Sequence, residues 1–538
     1  MMLFPPAGFV PVESTRSESP ESLLSAFFQR FAPLRSVGAL LSPAEQLLRG
    51  IGALADEQHI RLYVVGGYVR DIARSLRGEA ILRKDIDYTV VGDAVAFARM
   101  VAERFRSRAV VYERFRTAMV PIGEFHCEFV GTRKEEYKPH SRNPIVSEGT
   151  LEDDLRRRDF TINALAVSLN ADTWGEVVDL FDGQADMERR LLRTPLDPDT
   201  TFNDDPLRML RAARFAAQLG YTVDSHALQS IKRFADRIRI ISQERVTDEL
   251  LKILAAPRPS IGFKLLYTTG LLRHIFPELH ALAGTELAVE PASRSEDQQH
   301  DERVQQQVYR HKDVFYHTLQ VLDNVAQVSD NLWLRFATLM HDIAKPKTKK
   351  FLPGVGWSFH GHEEVGARWQ ARIFKRLKLP LQHLEYVETL VRLHQRPMAL
   401  VDDDVTDSAI RRLIVQAGDA LEDLFTLCRA DITTKNIAAA QRYLANYDRV
   451  YQKTLDVRER DALRAFQSPV RGEEIMEICG IPPSRAVGVI KTAIEEAILD
   501  GIIPNEYEAA KAYFLANKEA WLAEAQHVEQ ERKPRRAG

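Results

Sequence analysis

The chain has 538 residues, of which 45% are hydrophobic and 28% charged, so there is material for several packed cores, about three or four domains by length. A formal net charge of −3 excludes a simple polybasic protein, although local patches decide whether nucleic acid is bound. Three scattered cysteines, Cys127, Cys428 and Cys479, have no CxxC spacing, which argues against a disulfide framework and a thiolate zinc site.

The first 22 or so residues are rich in Pro, Ser and Glu and predict a flexible arm. Helical patterns begin near Leu23 and Pro43. The run from Arg61 to Val65 predicts a strand, stopped by Gly66-Gly67 and followed by a helix through Leu76. Further strands are predicted at Ile86 to Val91, Ala109 to Tyr112, Ala118 to Ile122 and His126 to Val130, with strands ending by about Leu180. From about Pro206 the pattern is helical, with examples at Leu207 to Leu219, Val246 to Leu254, Leu332 to Ala344 and Ile410 to Ala430. The polar stretch from Glu286 to Gln307 predicts a linker, Asp402 to Asp404 a second break, and EQERKPRRAG a basic tail. No stretch reaches the roughly 18–20 apolar residues of a membrane helix and the N-terminus has no signal-like pattern, so the expectation is a cytoplasmic enzyme without a membrane partner.

Lys84-Asp85-Ile86-Asp87 begins a strand, and residues two apart share a strand face. Asp85 and Asp87 therefore project together, and two clustered carboxylates repel unless a divalent cation bridges them. Mg²⁺ takes a few carboxylates plus phosphate oxygens. A DxD pair alone is ordinarily a solvated strand edge; the context strengthens it. Upstream, Gly66-Gly67-Tyr-Val-Arg70-Asp71 sits at a strand-to-helix junction, where glycines permit close backbone approach and a helix start offers free N–H donors to phosphate. Downstream, Glu128 adds a third carboxylate from another strand.

GGYVRD, KDIDYTV and RRDFTINALA, followed by DDPLRMLRAARFAAQLGY, resemble the nucleotidyltransferase core of the tRNA CCA-adding enzyme and bacterial poly(A) polymerase family, over about Leu62 to Leu279. The resemblance implies that Asp85 and Asp87 hold Mg²⁺ and that Glu128 helps activate an attacking 3′-hydroxyl. It assigns Arg157-Arg158-Asp159-Phe-Thr-Ile-Asn163 to ribose and phosphate recognition, which suits guanidinium forks and a polar group that can test for a 2′-hydroxyl. Alone, that block reads more readily as a helix start with solvated charges. Asp205 and Arg208 lie three apart across a helix start and can share a face. A carboxylate accepts from an exocyclic amine and a guanidinium donates to ring acceptors, a pairing that suits cytosine and adenine and repels uracil and guanine. The bland alternative is an intrahelical ion pair. The family writes Glu-Asp-x-x-Arg here, and this chain has Asp204 for the first acid. Arg208, Arg211 and Arg214, with Arg245, can form a positive wall beside a triphosphate or an RNA end, although a charged helix face is usually only solvated.

A second constellation follows. His341-Asp342 ends an apolar helix that Lys345-Pro346 is expected to stop; His317 lies upstream, and His362, His394 and Asp431 downstream. Such ligands suit a divalent metal without cysteine. A single helical histidine is usually structural, but the order H…HD…H…H…D resembles the HD phosphohydrolase superfamily. The resemblance makes His317, His341, Asp342 and Asp431 the metal-binding quartet and matches His362 and His394 to the extra ligands of dinuclear members, with His360 a competitor for His362 and Ni, Mn, Fe or Mg as candidate metals.

The expected fold is an α+β nucleotidyltransferase head, a small mixed sheet with helices, then an all-α neck, HD domain and helical tail. The expected divisions are an arm and helix at 1–45, head at 46–190, neck at 191–285 binding nucleobase and RNA, linker at 286–310, HD domain at 311–440 and tail at 441–538 contacting tRNA. The expected activity is addition of CCA to tRNA from CTP and ATP, with HD phosphohydrolase activity beside it. A poly(A) polymerase or partial CCA adder is the near rival; Tyr112-Glu-Arg-Phe-Arg116, where those polymerases carry a Gly-Arg-Arg-Phe-type signature, favours tRNA. More distant rivals are an HD phosphohydrolase whose N-terminal half only binds RNA, and a non-catalytic RNA scaffold.

Overall fold

In chain order the head carries β1 (Leu62–Val65), β2 (Asp85–Val90), β3 (Val110–Tyr112), β4 (Thr117–Ile122), β5 (Phe125–Gly131), β6 (Arg133–Glu136), β7 (Ile145–Glu148), β8 (Leu165–Ser168) and β9 (Val177–Asp179). The computed structural model describes residues 42–75, 84–113, 116–136, 145–285, 313–352, 356–402, 405–461 and 468–531. The helical pattern near Leu23, the polar stretch from Glu286 and most of the basic tail lie outside them. Seven strands form one mixed sheet of order β3-β4-β5-β2-β1-β8-β9, and β6 pairs with β7 separately. The pair β2–β5 is parallel, with Asp87 opposite Glu128 and Asp85 opposite His126; the sheet's other pairings are antiparallel.

The apolar half of each central strand fixes that register. Ile86, Tyr88 and Val90 are fully buried, as are Cys127 and Phe129. Tyr88 stacks on Phe129 with centroids 4.8 Å apart, and Phe97 of the helix Ala94–Arg104 meets Phe129 edge-on at 5.8 Å. A one-residue slip would drive the alternating acids into this core. Asp85 is instead exposed and Asp87 half-buried on the opposite face. The strands expected from sequence form within a residue or two; β8 escaped notice because Leu165–Ser168 is buried on both faces and shows no alternation.

Helices Pro198–Asp204, Leu207–Leu219, Ser225–Phe234, Gln243–Leu254 and Pro259–Thr268 follow. The mainly helical part thus starts at Pro198, slightly before the expected Pro206. Short strands also persist past Leu180, at Leu191–Leu192 with Thr222–Val223 and in the hairpin Lys350–Leu352 with Gly356–Ser358. The chain divides into two compact units, residues 1–277 and 278–538.

In the second unit the helix ending in the HD pair spans only Leu332–Met340, not as far as Ala344. Lys345-Pro346 does not stop it but opens a short helix, Lys345–Thr348, where a missing N–H costs nothing. The predicted helix from Ile410 to Ala430 is two, Asp407–Ala417 and Leu421–Ala430, broken at Gly418, whose φ of +52° favours glycine. The helices Gly472–Cys479, Arg485–Leu499 and Tyr507–Glu531 close on their own core around Ile475, Ile490, Ile494 and Phe514.

Candidate active site and candidate metal centre

A cavity of about 590 Å³ opens over β2 and β5, lined by Asp85, Asp87 and Glu128, by Gly66, Gly67 and Arg70, and by Arg157, Arg158, Asp159, Asn163, Asp205, Arg208, Arg211, Arg214 and Arg245. Apart from Asp71 and Asp204, the candidate residues of head and neck therefore line one cleft, although they span about 180 positions. Gly66 has φ +71°, and a Cβ there would lie 2.8 Å from Arg158 Nη1 and 3.5 Å from Asp87 Oδ2. The turn is glycine because the backbone must pass close beneath the acids and the arginine.

The three carboxylates fit a divalent cation by their chemistry. Glu128 is raised above the usual carboxylate range, first by desolvation among the cleft walls and then by Asp87, partly offset by Arg133. A cation would relieve that repulsion. Their ligand atoms do not all converge within 4.8 Å, unlike those of the groups described below. Oxygens from a bound phosphate are the natural completion of such a partial set.

The arginine wall is held from behind. The fully buried Asp154 receives Arg157 Nε at 3.0 Å and Arg158 Nη2 at 3.0 Å, and Thr89 Oγ1 donates to it at 3.3 Å. Arg70 grips its neighbour Asp71 with two hydrogen bonds of 2.8 and 3.0 Å and donates to Asn163 Oδ1 at 2.7 Å. Asn163 donates to Asp159 Oδ1 at 3.0 Å, and Arg211 Nε donates to Asp159 Oδ2 at 2.5 Å. Burial pushes the Asp159 carboxyl up, but Arg211, Asn163 and Arg208 outweigh it and hold it at about 2. Arg214 donates to the buried Glu249 at 3.0 Å, and burial lowers this guanidinium to about 10.

Asp205 and Arg208 do not form the intrahelical pair that was the bland alternative. Asp205 ends the preceding helix, accepts from Leu207 N–H at 3.1 Å and faces Arg245 Nη2 at 3.4 Å. Arg208 donates to the carbonyls of Thr201 at 3.2 Å and Arg157 at 2.5 Å. Both groups reach the cavity, anchored by different elements.

Sequence reasoning missed Asp154, Glu249 and Phe215. Asp154 was readable, being three and four residues before Arg157 and Arg158. Phe215 lines the cavity with Arg70, Arg211 and Arg214 stacked around its ring at 5.2, 5.4 and 4.4 Å. Nothing local in the sequence marks Glu249.

In the second unit the six predicted ligands come together. His317, His341 and Asp431 form one group and Asp342, His362 and His394 a second, each with ligand atoms within 4.8 Å. Asp342 lies between them: its Oδ2 is 3.3 Å from His341 Nε2, and its Oδ1 is 3.2 Å from His362 Nε2 and 3.8 Å from His394 Nε2. His360 is exposed and belongs to neither group, whereas His362 belongs to the second.

The histidines are aimed by a recurring local device. Nδ1 of His341, His362 and His394 lies 2.6, 2.9 and 2.7 Å from the carbonyl three residues earlier, and His317 Nδ1 lies 3.0 Å from Thr433 Oγ1. An N–H at each Nδ1 leaves Nε2 facing the centre as a ligand. Asp342 Oδ1, Asp431 Oδ1 and His341 Nε2 are buried without a well-formed hydrogen bond. Such orphaned atoms, converging, fit one or two divalent ions. Burial, with His341 and His362 alongside, holds His394 down to about 3, so its imidazole is neutral.

Fold and sites define a class: a nucleotidyltransferase head on a mixed sheet, followed by helices and an HD domain, two domain types that use divalent metals. Family models agree. A "Poly A polymerase head domain" matches residues 62–193, a "Probable RNA and SrmB- binding site of polymerase A" residues 220–282, and an "HD domain" residues 314–424. An A-adding tRNA nucleotidyltransferase of Deinococcus radiodurans is 31% identical over 457 residues, 83% of this chain and 93% of that protein. A CC-adding tRNA nucleotidyltransferase of Thermus thermophilus is 30% identical over 475 residues, 84% and 93% of the two chains. A multifunctional CCA protein of Methylococcus capsulatus is 32% identical over 386 residues, 69% of this chain and 81% of that one. The fold resembles that of a Thermotoga maritima CCA-adding enzyme solved with tRNA, with a TM-score of 0.54 at 18% identity over 91% of this chain and 98% of that one. The chain belongs to the tRNA nucleotidyltransferase family and is an enzyme of that class. Among the described residues no helix is long and apolar enough to cross a membrane.

Proposed function

We propose that the enzyme adds C, C and A to the 3′ end of tRNA, taking CTP and ATP in succession. The observation that carries this is the single cleft in which strand-borne carboxylates, an arginine wall and the Asp205/Arg208 pair face one another. Asp85 and Asp87 would hold Mg²⁺, which supplies charge neutralisation at the phosphates. Glu128 accepts the proton of the tRNA 3′-hydroxyl as it attacks the α-phosphorus in line and pyrophosphate leaves. Arg157 and Arg158, fixed by Asp154, grip phosphate oxygens; Arg70, Asn163 and Asp159 seat the ribose. Asp205 accepts the exocyclic amine of cytosine or adenine and Arg208 donates to the adjacent ring acceptor, so selection needs no template. Arg211, Arg214 and Arg245 extend the positive wall along the helix faces. The divisions proposed are a head at 46–190, a neck at 191–285, an HD domain at 311–440 and a tRNA-contacting tail at 441–538.

The test is stepwise. Purified protein, Mg²⁺ and labelled CTP or ATP are incubated with tRNA transcripts ending at the discriminator base, at C and at CC. Growth that stops at CCA supports the reading. Addition of only CC or only A would move the protein beside its Thermus or Deinococcus relatives, and long A tails would make it a poly(A) polymerase.

A second reading concerns the HD centre. Two ligand groups meeting at Asp342 support a dinuclear phosphohydrolase. Opening of 2′,3′-cyclic nucleotides to nucleoside monophosphates by wild type and not by His341→Ala is the expected result.

A further inference from the structure

The second unit contains a cavity of about 440 Å³ lined by Thr389, Arg392, Leu393, Arg396, Arg412 and Gln416. Its polar lining consists of three guanidinium groups, an amide and a hydroxyl, with no carboxylate. We propose that this cavity is a phosphate-binding site, separate from the head cleft and backing directly onto the HD centre.

The site is built from two helical faces. Thr389, Arg392 and Arg396 follow one another at three and four residues along the end of the helix Leu384–Leu393 and the turn after it. Arg412 and Gln416 are four apart on the helix Asp407–Ala417. Two of the arginines are braced from outside: Arg392 Nε donates to Glu364 at 2.9 Å, and Arg412 pairs with Asp500. Among the described residues Arg396 has no carboxylate partner and is exposed to the cavity. Two guanidiniums whose charge is partly met by Glu364 and Asp500, beside a third without a carboxylate partner, leave the concavity cationic, and guanidinium forks match the paired oxygens of a phosphate. The volume suits a single nucleotide-sized ligand or one stretch of backbone, not a duplex.

The position gives the site its interest. Between Arg392 and Arg396 the chain turns inward. His394 Nε2 lies 3.3 Å from His362 Nε2, and Gln395 Nε2 lies 3.4 Å from the same atom. Arg392 and Arg396 serve the cavity while His394 and Gln395 serve the metal ligands, so one turn joins both sites. An anion drawn between Arg396 and Arg412 bears on the turn that carries a predicted metal ligand.

Binding of labelled inorganic phosphate to the full chain, measured by equilibrium dialysis, tests the proposal against Arg396→Ala, Arg412→Ala and Arg396→Lys. The head contributes equally in every protein, so the differences read the cavity. Loss of one charged hydrogen-bonding partner should weaken one phosphate site at least about tenfold in both alanine variants, with partial retention in Arg396→Lys. A wild-type thermal unfolding profile in Arg396→Ala confirms an intact fold. Competition then identifies the source of the phosphate. Displacement by AMP, with tRNA affinity unchanged in Arg396→Ala, assigns a free nucleotide. Weaker tRNA binding with a salt slope smaller by about one unit in Arg396→Ala assigns an RNA backbone phosphate. Identical phosphate isotherms in wild type and both alanine variants overturn the proposal, as does phosphate that neither AMP nor tRNA displaces.

Discussion

The head cleft and the HD centre each gather acidic ligands, but they do so in opposite ways. In the head, Asp85 and Glu128 stand on neighbouring strands at the wall of an open cleft, with arginines across the cavity. In the HD domain, His341, Asp342, His362 and His394 are buried, and their ring nitrogens are already aimed by hydrogen bonds. On the function proposed above, the first site is a partial coordination set that a phosphate-bearing substrate would complete, whereas the candidate ligands of the second already converge. An open site can exchange successive nucleotides and a moving RNA end, whereas a prebuilt one can keep its metal between turnovers.

The sharpest way to break this contrast is to remove one set of ligands and read both activities. Asp85→Ala with Asp87→Ala should lower nucleotide incorporation by at least about a thousandfold, while metal retained by the HD centre stays unchanged. His341→Ala should do the reverse: metal bound after gel filtration, measured by mass spectrometry, falls, and incorporation persists. If the head held its ion as firmly as the HD domain, the comparison would fail.

Asp205→Ala should cost about a hundredfold in the preference for CTP over UTP, with a smaller change in total incorporation, because the carboxylate is asked to select and not to react. Equal losses for all four nucleotides would assign Asp205 to structure. Asp159→Asn sharpens the same boundary. Its carboxyl, held at about 2 against an ordinary 3.8, contributes stability that is complete above pH 3.8 and is lost as pH falls toward 2. The variant should therefore be less stable by on the order of 2 kcal/mol at pH 7 in urea unfolding, and this deficit should shrink on acidification.

The last prediction concerns the pH dependence set by Glu128. Desolvation and Asp87 raise its carboxyl, so it keeps its proton to a higher pH than an ordinary glutamate, and its base form grows as pH rises. The acid limb of incorporation in wild type should follow this carboxyl, moving down as Mg²⁺ relieves the repulsion from Asp87, and Glu128→Gln should flatten it as well as lowering the rate.

Much of both sites was legible because short-range geometry carries it. The two-residue period puts Asp85 and Asp87 on one face whatever surrounds the strand, and Pro206 and Gly220 bound the arginine-bearing helix in the sequence itself. Local rules failed where a chain break depended on context. Pro346 begins a helical turn where it was expected to end one, and Gly418 splits a pattern that reads as continuous.

By itself the sequence determined which chemical groups the protein owns and which neighbours along the chain share a face, since those follow from backbone periodicity and residue type. Only the tertiary structure decided that Glu128 stands opposite Asp87, that Arg211 reaches Asp159 from 52 residues away, that Glu249 braces Arg214, and that Asp342 lies between two groups of ligands. These partners are separated along the chain by other elements. Their meeting is fixed by strand register and by the burial of apolar faces that carry no chemistry of their own.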